Sequence, residues 1–257
     1  MKVIKETLYL PRLDREATLY VGLPNHYEAH TQAYPVLYMH DGQNLFFKED
    51  SAYGHTWEVK EAFEADPSLP ECIVVGLSCA EGFDRLDEYG PYPFTFAGFN
   101  APRALGGRAD AYLDTLIHDI MPNIETTYRV KTGKEHTAMM GSSMGGVISL
   151  YAAIKYPGVI GRVASVSGAF YVSLEAFEEA FNQADFAQLE TFYMDTGDDE
   201  VGGGKPHHYL ESNERVYEVI KPRLKTKKHH YALIPGGKHH ETDWAKRFPD
   251  IVRFIWS

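Results

Sequence analysis

The stretch Gly141-Ser142-Ser143-Met144-Gly145-Gly146 follows an apolar, strand-like run and precedes a helix-like run that ends at Lys155. A G-x-S-x-G pattern between a strand and a helix is typical of a nucleophile elbow, with Ser143 at its apex. The sharp turn needs unusual backbone angles and close strand–helix contact, which favours glycine on both sides of the serine. The first turn of the helix points free N–H groups at any oxyanion that forms beside Ser143. We therefore predict that Ser143 is a nucleophile.

Strand-like and helix-like segments alternate along the rest of the chain. Residues 2–10 and 16–23 alternate apolar and polar side chains on either side of a turn, which predicts an antiparallel N-terminal hairpin. The alternation after that hairpin indicates an α/β fold, with a mostly parallel central sheet and helices on both faces. The predicted strands cover 35–39, 73–77, 138–140, 163–167, 192–195 and 230–234, and the predicted helices cover 57–65, 109–126, 147–155, 174–182, 211–220 and 242–256. No linker or repeat divides the pattern, so we expect a single domain over residues 1–257.

The balance of charge narrows the class of partner. Lysine and arginine number 25 against 36 aspartates and glutamates, which gives a formal net charge of −11. An acidic chain repels nucleic acid and anionic membranes, so we expect a small-molecule substrate and leave a homo-oligomer open. No apolar run approaches the length that crosses a membrane, and residues 1–6 do not resemble a signal peptide.

The two cysteines indicate a reducing compartment. Cys72 and Cys79 flank a predicted strand and would lie roughly 20 Å apart when that strand is extended, too far for a disulfide. We expect two reduced thiols, which is consistent with a cytoplasmic protein.

The segment from Glu81 to Arg108 has no periodicity that predicts a helix or a strand. It is rich in glycine, proline and aromatic residues. The aromatic residues are Phe83, Tyr89, Tyr92, Phe94, Phe96 and Phe99. Structureless loops of this length are uncommon and often shape active sites, so we expect this one to form a pocket wall at the carboxyl edge of the sheet. Arg85, Glu88 and Tyr89 are the substrate-binding candidates, and an ion pair of Arg85 or Glu88 that anchors the loop is the alternative.

A serine nucleophile needs a base to take its proton and a third group to orient that base. In this fold class the chain order is serine, acid, histidine, which puts the base near the C-terminus. The turn that follows the last predicted strand offers His239 and His240, and spacing alone does not choose between them. The acid should follow the preceding strand, where spacing leaves four carboxylates open, namely Asp195, Asp198, Asp199 and Glu200.

An oxyanion hole needs two N–H donors. One comes from Met144, directly after the nucleophile. The other is expected from the loop His40-Asp41-Gly42-Gln43-Asn44, in which the glycine lets the backbone approach the substrate and the Gln43 N–H is the candidate donor. An ordinary β-turn, with the aspartate and the asparagine as turn residues, is the alternative.

Together these motifs resemble the "Putative esterase" family of α/β-hydrolases, which includes esterase D-like enzymes, enterochelin esterases, feruloyl esterases and mycolyltransferases. The similar stretches are Leu37–Phe46, Arg85–Pro91, Gly141–Gly146, Tyr156-Pro157 with Val163–Ser167, and Gly236–Trp244. The resemblance implies that His239 is the base and that Glu200 is the acid. Asp198 and Asp199 depart from the small residue usual there, and some siderophore esterases of this type work with a Ser–His dyad, so the acid stays open.

The resemblance implies a serine carboxylesterase that hydrolyses small or medium carboxylic esters through an acyl-enzyme. A catecholate siderophore trilactone esterase is the narrower alternative, for which Arg85, Arg103 and Arg108 would supply a basic pocket. An acyltransferase and a non-catalytic α/β-hydrolase-like binding module also stay open. We expect no metal and no cofactor, because the paired histidines lack the H-E-x-x-H pattern and the glycines at 202–204 do not form a dinucleotide motif.

Overall fold

The computed structural model describes residues 1–95, 100–202, 205–226 and 228–257. Its strands are β1 (Lys2–Leu10), β2 (Arg15–Leu23), β3 (Val36–Met39), β4 (Ile73–Leu77), β5 (Thr137–Ser142), β6 (Arg162–Val166), β7 (Thr191–Gly197), β8 (Val201–Gly202), β9 (Lys205–Pro206) and β10 (His229–Ile234). Its α-helices are α1 (Val59–Ala65), α2 (Phe83–Tyr89), α3 (Ala109–Thr115), α4 (Met121–Thr127), α5 (Met144–Lys155), α6 (Leu174–Gln183), α7 (His208–Ile220) and α8 (Glu241–Trp256). The expectations for Phe96, Phe99, Gly203 and Gly204 lie outside the described residues.

One eight-stranded sheet has the order β1-β2-β4-β3-β5-β6-β7-β10. The hairpin β1–β2 is antiparallel and joins the sheet through an antiparallel pairing of β2 with β4. All neighbours from β4 to β10 pair in parallel. This arrangement confirms the predicted fold class, and it places the carboxyl ends of β3, β5, β6, β7 and β10 along one edge of the sheet.

Side chains alternate between two hydrophobic cores, one on each face of the sheet. In β3, Val36 and Tyr38 enter the larger core, while Leu37 and Met39 enter the smaller one. The larger core includes side chains of α3 to α7, and the smaller one includes side chains of α1 and α8. Because successive residues of a strand point to opposite faces, a continuous apolar strand covered by helices on both sides is buried throughout.

Two segments differ from the sequence prediction. The segment from Glu81 to Arg108 was expected to be a structureless loop, but it contains helix α2. The helix predicted over 109–126 is interrupted at Leu116–Ile120 by a π-helical turn just before Pro122. Proline lacks an N–H and crowds the carbonyl group four residues earlier, and a wider turn is a common way to relieve that conflict.

None of the helices within the described residues combines the length and the apolar character needed to cross a membrane.

Candidate active site

Ser143 occupies the turn between β5 and α5 with backbone angles of φ 58° and ψ −124°, which are unfavourable for any residue other than glycine. Two backbone hydrogen bonds to the end of β6 and the residues after it hold the turn. The Ser143 N–H donates to the carbonyl of Val166, and the Ser143 carbonyl accepts from the N–H of Ala169. A Cβ atom on Gly141 would lie 2.8 Å from the carbonyl carbon of Gly145. Glycine at position 141 is therefore required by the close approach of strand and helix.

Glu200 and His239 contact each other across the ends of β7 and β10. Nδ1 of His239 lies 3.0 Å from Oε2 of Glu200. The other carboxylate oxygen accepts from the Ser167 hydroxyl at 2.6 Å and from the Gly197 N–H at 2.8 Å. Glu200 is buried, so these contacts fix both the carboxylate and the ring that it faces.

The other three carboxylates near Glu200 have different partners. Asp195 is buried at 3.1 Å from Nη1 of Arg247, and burial raises its pKa to about 6 although the arginine opposes the shift. Asp198 accepts from the N–H of Gly236, and Asp199 is exposed near Lys238. His240 caps helix α8 through Thr242. The geometry thus brings together Glu200 and His239 out of the candidates that spacing left open.

Tyr209, in the first turn of α7, was not singled out from the sequence. Its hydroxyl lies 3.0 Å from Nε2 of His239, and its ring stacks on the imidazole with centroids 4.1 Å apart. Within the described part of the chain, Ser143 and His239 line the same cavity and are not hydrogen bonded to each other.

The loop after β3 forms a 3-10 turn, Gly42–Asn44, which begins behind Asp41 in the left-handed conformation. The Gln43 N–H lies in the first turn of this element and the Met144 N–H in the first turn of α5, where backbone donors lack partners within the helix. A Cβ on Gly42 would lie 2.6 Å from the carbonyl carbon of Gly76 in β4. Glycine at this position lets the loop lie directly on the sheet.

Side chains from α2 and the end of β4 hold this loop. Nε and Nη2 of Arg85 donate to the two carboxylate oxygens of Asp41 at 2.6 and 2.7 Å. Burial alone would raise the pKa of Asp41, but the guanidinium group lowers it below its usual value. The side-chain amide of Gln43 pairs with Cys79, donating to its sulfur and accepting from its N–H, each at 3.1 Å.

Tyr89 does not fit the substrate-binding role expected from the sequence. It is fully buried, and its hydroxyl accepts a hydrogen bond of 3.0 Å from the Asp41 N–H. Arg85 does line the cavity, although both prongs of its guanidinium group are engaged by Asp41. Glu88, the other candidate anchor, pairs with Arg15 of β2. Helix α2 therefore holds the loop after β3 through Arg85 and Tyr89, and Arg85 also contributes to the pocket wall.

A cavity of about 1040 Å³ opens over Ser143 and His239. Its mouth carries two exposed aromatic rings, Tyr53 and Phe83. Within the described residues, two carboxylates that line it, Glu81 and Glu241, form no salt bridge. Glu241 is buried, and this burial raises its pKa.

The elbow at the end of β5 and the sheet order define an α/β-hydrolase fold of the esterase type. Residues 11–255 match the model of the "Putative esterase" family, and the chain belongs to that family. This match confirms the resemblance inferred from the sequence motifs, and it supports the hydrolysis of esters as the activity.

The matches to related proteins and to solved structures of similar fold cover almost the whole of this chain. The Bacillus subtilis (strain 168) protein YbbA is 28% identical over 257 residues, which cover 95% of this chain and 93% of YbbA. A ferulic acid esterase has a TM-score of 0.73 at 19% identity, with coverage of 99% of this chain and 97% of its own. An IroE-like serine hydrolase from Shewanella oneidensis has a TM-score of 0.78 at 18% identity, with coverage of 99% and 80%. The enterobactin esterase of Shigella flexneri has a TM-score of 0.76 at 15% identity, with coverage of 100% and 59%.

Proposed function

We propose that this chain is a serine carboxylesterase that cleaves carboxylic esters through an acyl-enzyme. The observation that carries the proposal is the 3.0 Å contact between Nδ1 of His239 and Oε2 of Glu200 in the cavity that also exposes Ser143. An imidazole oriented by a buried carboxylate is the base that a serine nucleophile needs. Family membership supports the same reaction class.

In the proposed mechanism the Ser143 oxygen attacks the ester carbonyl carbon and its proton passes to His239. Glu200 stabilises the imidazolium ion, and the N–H groups of Gln43 and Met144 donate to the oxyanion of the tetrahedral intermediate. His239 then returns the proton to the departing alcohol. Water repeats the sequence on the acyl-enzyme and releases the acid.

The charge of the cavity favours neutral or cationic esters over polyanionic ones. Arg85 is held by Asp41, Arg103 pairs with Asp84 and Asp87, and Arg108 reaches a backbone carbonyl of the hairpin. The arginines expected to form a basic pocket thus have other partners, while two carboxylates of the wall lack a salt bridge. A highly charged catecholate trilactone would be repelled here, because like charges in a confined site oppose binding.

Labelling with a fluorophosphonate probe, followed by peptide mapping, tests the nucleophile. We expect the probe on Ser143 and the loss of both labelling and ester turnover in Ser143→Ala. The neighbouring Ser142→Ala variant is the control and should label like the wild type. An unlabelled wild-type chain would support the non-catalytic binding module instead.

A substrate panel tests the reaction and its charge preference. A short-chain nitrophenyl ester and a neutral feruloyl ester should be hydrolysed with a higher kcat/KM than a catecholate trilactone. The opposite order would overturn the charge argument and support the siderophore alternative. Partition of product toward an added alcohol would support an acyltransferase.

A further inference from the structure

The hydroxyl group of Ser167, directly after β6, contacts Glu200 and two side chains of helix α8. Its oxygen lies 2.6 Å from Oε1 of Glu200, 3.1 Å from Nε1 of Trp244 and 3.4 Å from Nη2 of Arg247. Ser167 is fully buried and is not one of the described residues that line the cavity. A substrate bound in the cavity therefore does not contact Ser167, which can affect the reaction only through another group.

The chemistry of these partners fixes the direction in which the hydroxyl donates. An indole N–H and a guanidinium group only donate hydrogen bonds, so Trp244 and Arg247 occupy the two lone pairs of the Ser167 oxygen. The single proton of the hydroxyl is then left for Glu200, whose carboxylate only accepts. A bond of 2.6 Å from a hydroxyl to a carboxylate belongs to the stronger, charge-assisted kind. Helix α8 thus orients the hydroxyl toward the acid.

The backbone of Ser167 also holds the hydroxyl in place. Its φ of 48° is a left-handed conformation, which is unfavourable for a residue other than glycine. The Ser167 N–H donates to the carbonyl of Asp195 at 2.9 Å, and the side chain of Asp195 accepts from Nη1 of Arg247 at 3.1 Å. A conformation of this kind persists only where the surrounding structure holds it, and such positions are concentrated at functional sites.

The two oxygens of the Glu200 carboxylate have different partners. Oε1 accepts from the Ser167 hydroxyl and from the Gly197 N–H, whereas Oε2 faces Nδ1 of His239. The last torsion of a glutamate side chain is broad, so a carboxylate without such contacts can rotate. Two donors on one oxygen prevent this rotation and direct the other oxygen at the imidazole.

On the basis of the proposed function, we propose that Ser167 is a positioning residue, which fixes the Glu200 carboxylate and thereby the imidazole that takes the proton of Ser143. The hydroxyl forms no contact with the reacting atoms. Its effect on the rate depends on the presence of the carboxylate that it holds.

Ser167→Ala tests the proposal, because it removes only the hydroxyl oxygen. We expect the kcat for a nitrophenyl ester to fall roughly 10- to 100-fold, the scale for the loss of a group that orients a catalytic one, with KM unchanged. Ser167→Gly should lose as much, although glycine adopts the φ of 48° freely. The matched control is Ser165→Ala in β6, since this serine is equally buried and its hydroxyl has no hydrogen-bond partner within the described residues. Its kcat should equal that of the wild type.

A double-mutant cycle with Glu200→Gln shows whether Ser167 acts through the acid. In the Glu200→Gln background, Ser167→Ala should change kcat by less than about twofold, because the carboxylate that it holds is already lost. A merely structural contribution would lower kcat by the same factor in both backgrounds, and this result would overturn the proposal. Wild-type kcat in Ser167→Ala would overturn it as well, and so would recovery of kcat in Ser167→Gly, since the backbone rather than the hydroxyl would then set the rate.

Fluorophosphonate labelling separates this proposal from the proposed function. A wild-type chain that is labelled at Ser143, together with equal losses in both backgrounds, would remove only the role of Ser167. An unlabelled wild-type Ser143 would remove both.

Discussion

Arg85 and Asp41 form a two-pronged ion pair, with N–O distances of 2.6 and 2.7 Å, directly before the turn that carries Gln43. Arg85 belongs to helix α2, which lies in the segment expected to be a structureless loop. Through this ion pair α2 anchors the loop after β3, which is proposed to bind the oxyanion. The pair is shielded from water, since Asp41 is buried and Arg85 is largely covered. Both side chains therefore position the loop after β3. Because each is engaged by the other, neither is free to bind a charged substrate.

Arg85→Ala should lower kcat roughly 10- to 100-fold, because the turn that positions the Gln43 N–H loses its anchor and oxyanion donors act only when held in place. Arg85→Lys should give an intermediate loss, since lysine keeps the charge but not the planar fork. Steady-state kinetics on a nitrophenyl ester measure both. The control is Arg215→Ala, which breaks a two-pronged pair with Glu178 on the surface. Equal kcat values in Arg85→Ala and the control would contradict the anchoring role.

Glu200→Gln should lower kcat/KM by roughly 10³-fold, because an amide no longer holds the proton on Nδ1 or stabilises the imidazolium ion. The exposed neighbour Asp199→Asn is the matched control and should keep full activity. A loss below about tenfold in Glu200→Gln would favour a Ser–His dyad, with the carboxylate serving only the fold.

Gly42→Ala should lower both activity and thermal stability. The new methyl group would lie 2.6 Å from a backbone carbon of β4, and the turn could make room only by moving away from the sheet. We expect kcat to fall about 100-fold, comparable to the loss of one oxyanion donor. Gly54→Ala is the control, because a methyl group there meets nothing within 4 Å. Its φ of 70° should cost about 1 kcal/mol of stability and leave kcat unchanged.

His40 should make the fold sensitive to acid. Burial lowers its pKa to about 3, whereas in the unfolded chain the pKa stays near 6.5. Between these values the unfolded state binds one more proton than the native state, so the free energy of unfolding falls as the pH falls. The largest slope from one such group is about 1.4 kcal/mol per pH unit.

Urea unfolding of the wild type and of His40→Asn between pH 4 and 7 measures this contribution. The variant should show a shallower loss of stability on acidification, because it lacks the titrating ring. Parallel curves for the two proteins would show that another group causes the acid sensitivity.

Local patterns predicted much of the fold because each depends on a few neighbouring residues. The elbow motif is an example, since Gly141 is required by its contact with the backbone of Gly145, four residues further along the chain. The strand–helix alternation likewise follows from periodicity within each segment. Helix α2 was missed because it has only seven residues, lies among glycines and prolines, and carries three acidic side chains and an arginine.

Relationships between distant segments could not be read from pattern alone. Glu200 was separable from its three neighbouring carboxylates only by resemblance to a family, since spacing does not show which one faces the imidazole. Tyr209 lies 30 positions before His239, on a helix predicted to begin only at Glu211, and no motif connects it to the elbow. Tyr89 was expected to bind substrate, but the depth at which it lies depends on packing that composition does not reveal.

The indole of Trp244 lies edge-on to the imidazole of His239, with ring centroids 4.9 Å apart, and its N–H donates to the Ser167 hydroxyl that also binds Glu200. A protonated imidazole quenches the emission of an adjacent indole, whereas a neutral one does so far less. We therefore expect the emission of Trp244 to report the ionisation of that ring during turnover, without the attachment of a dye.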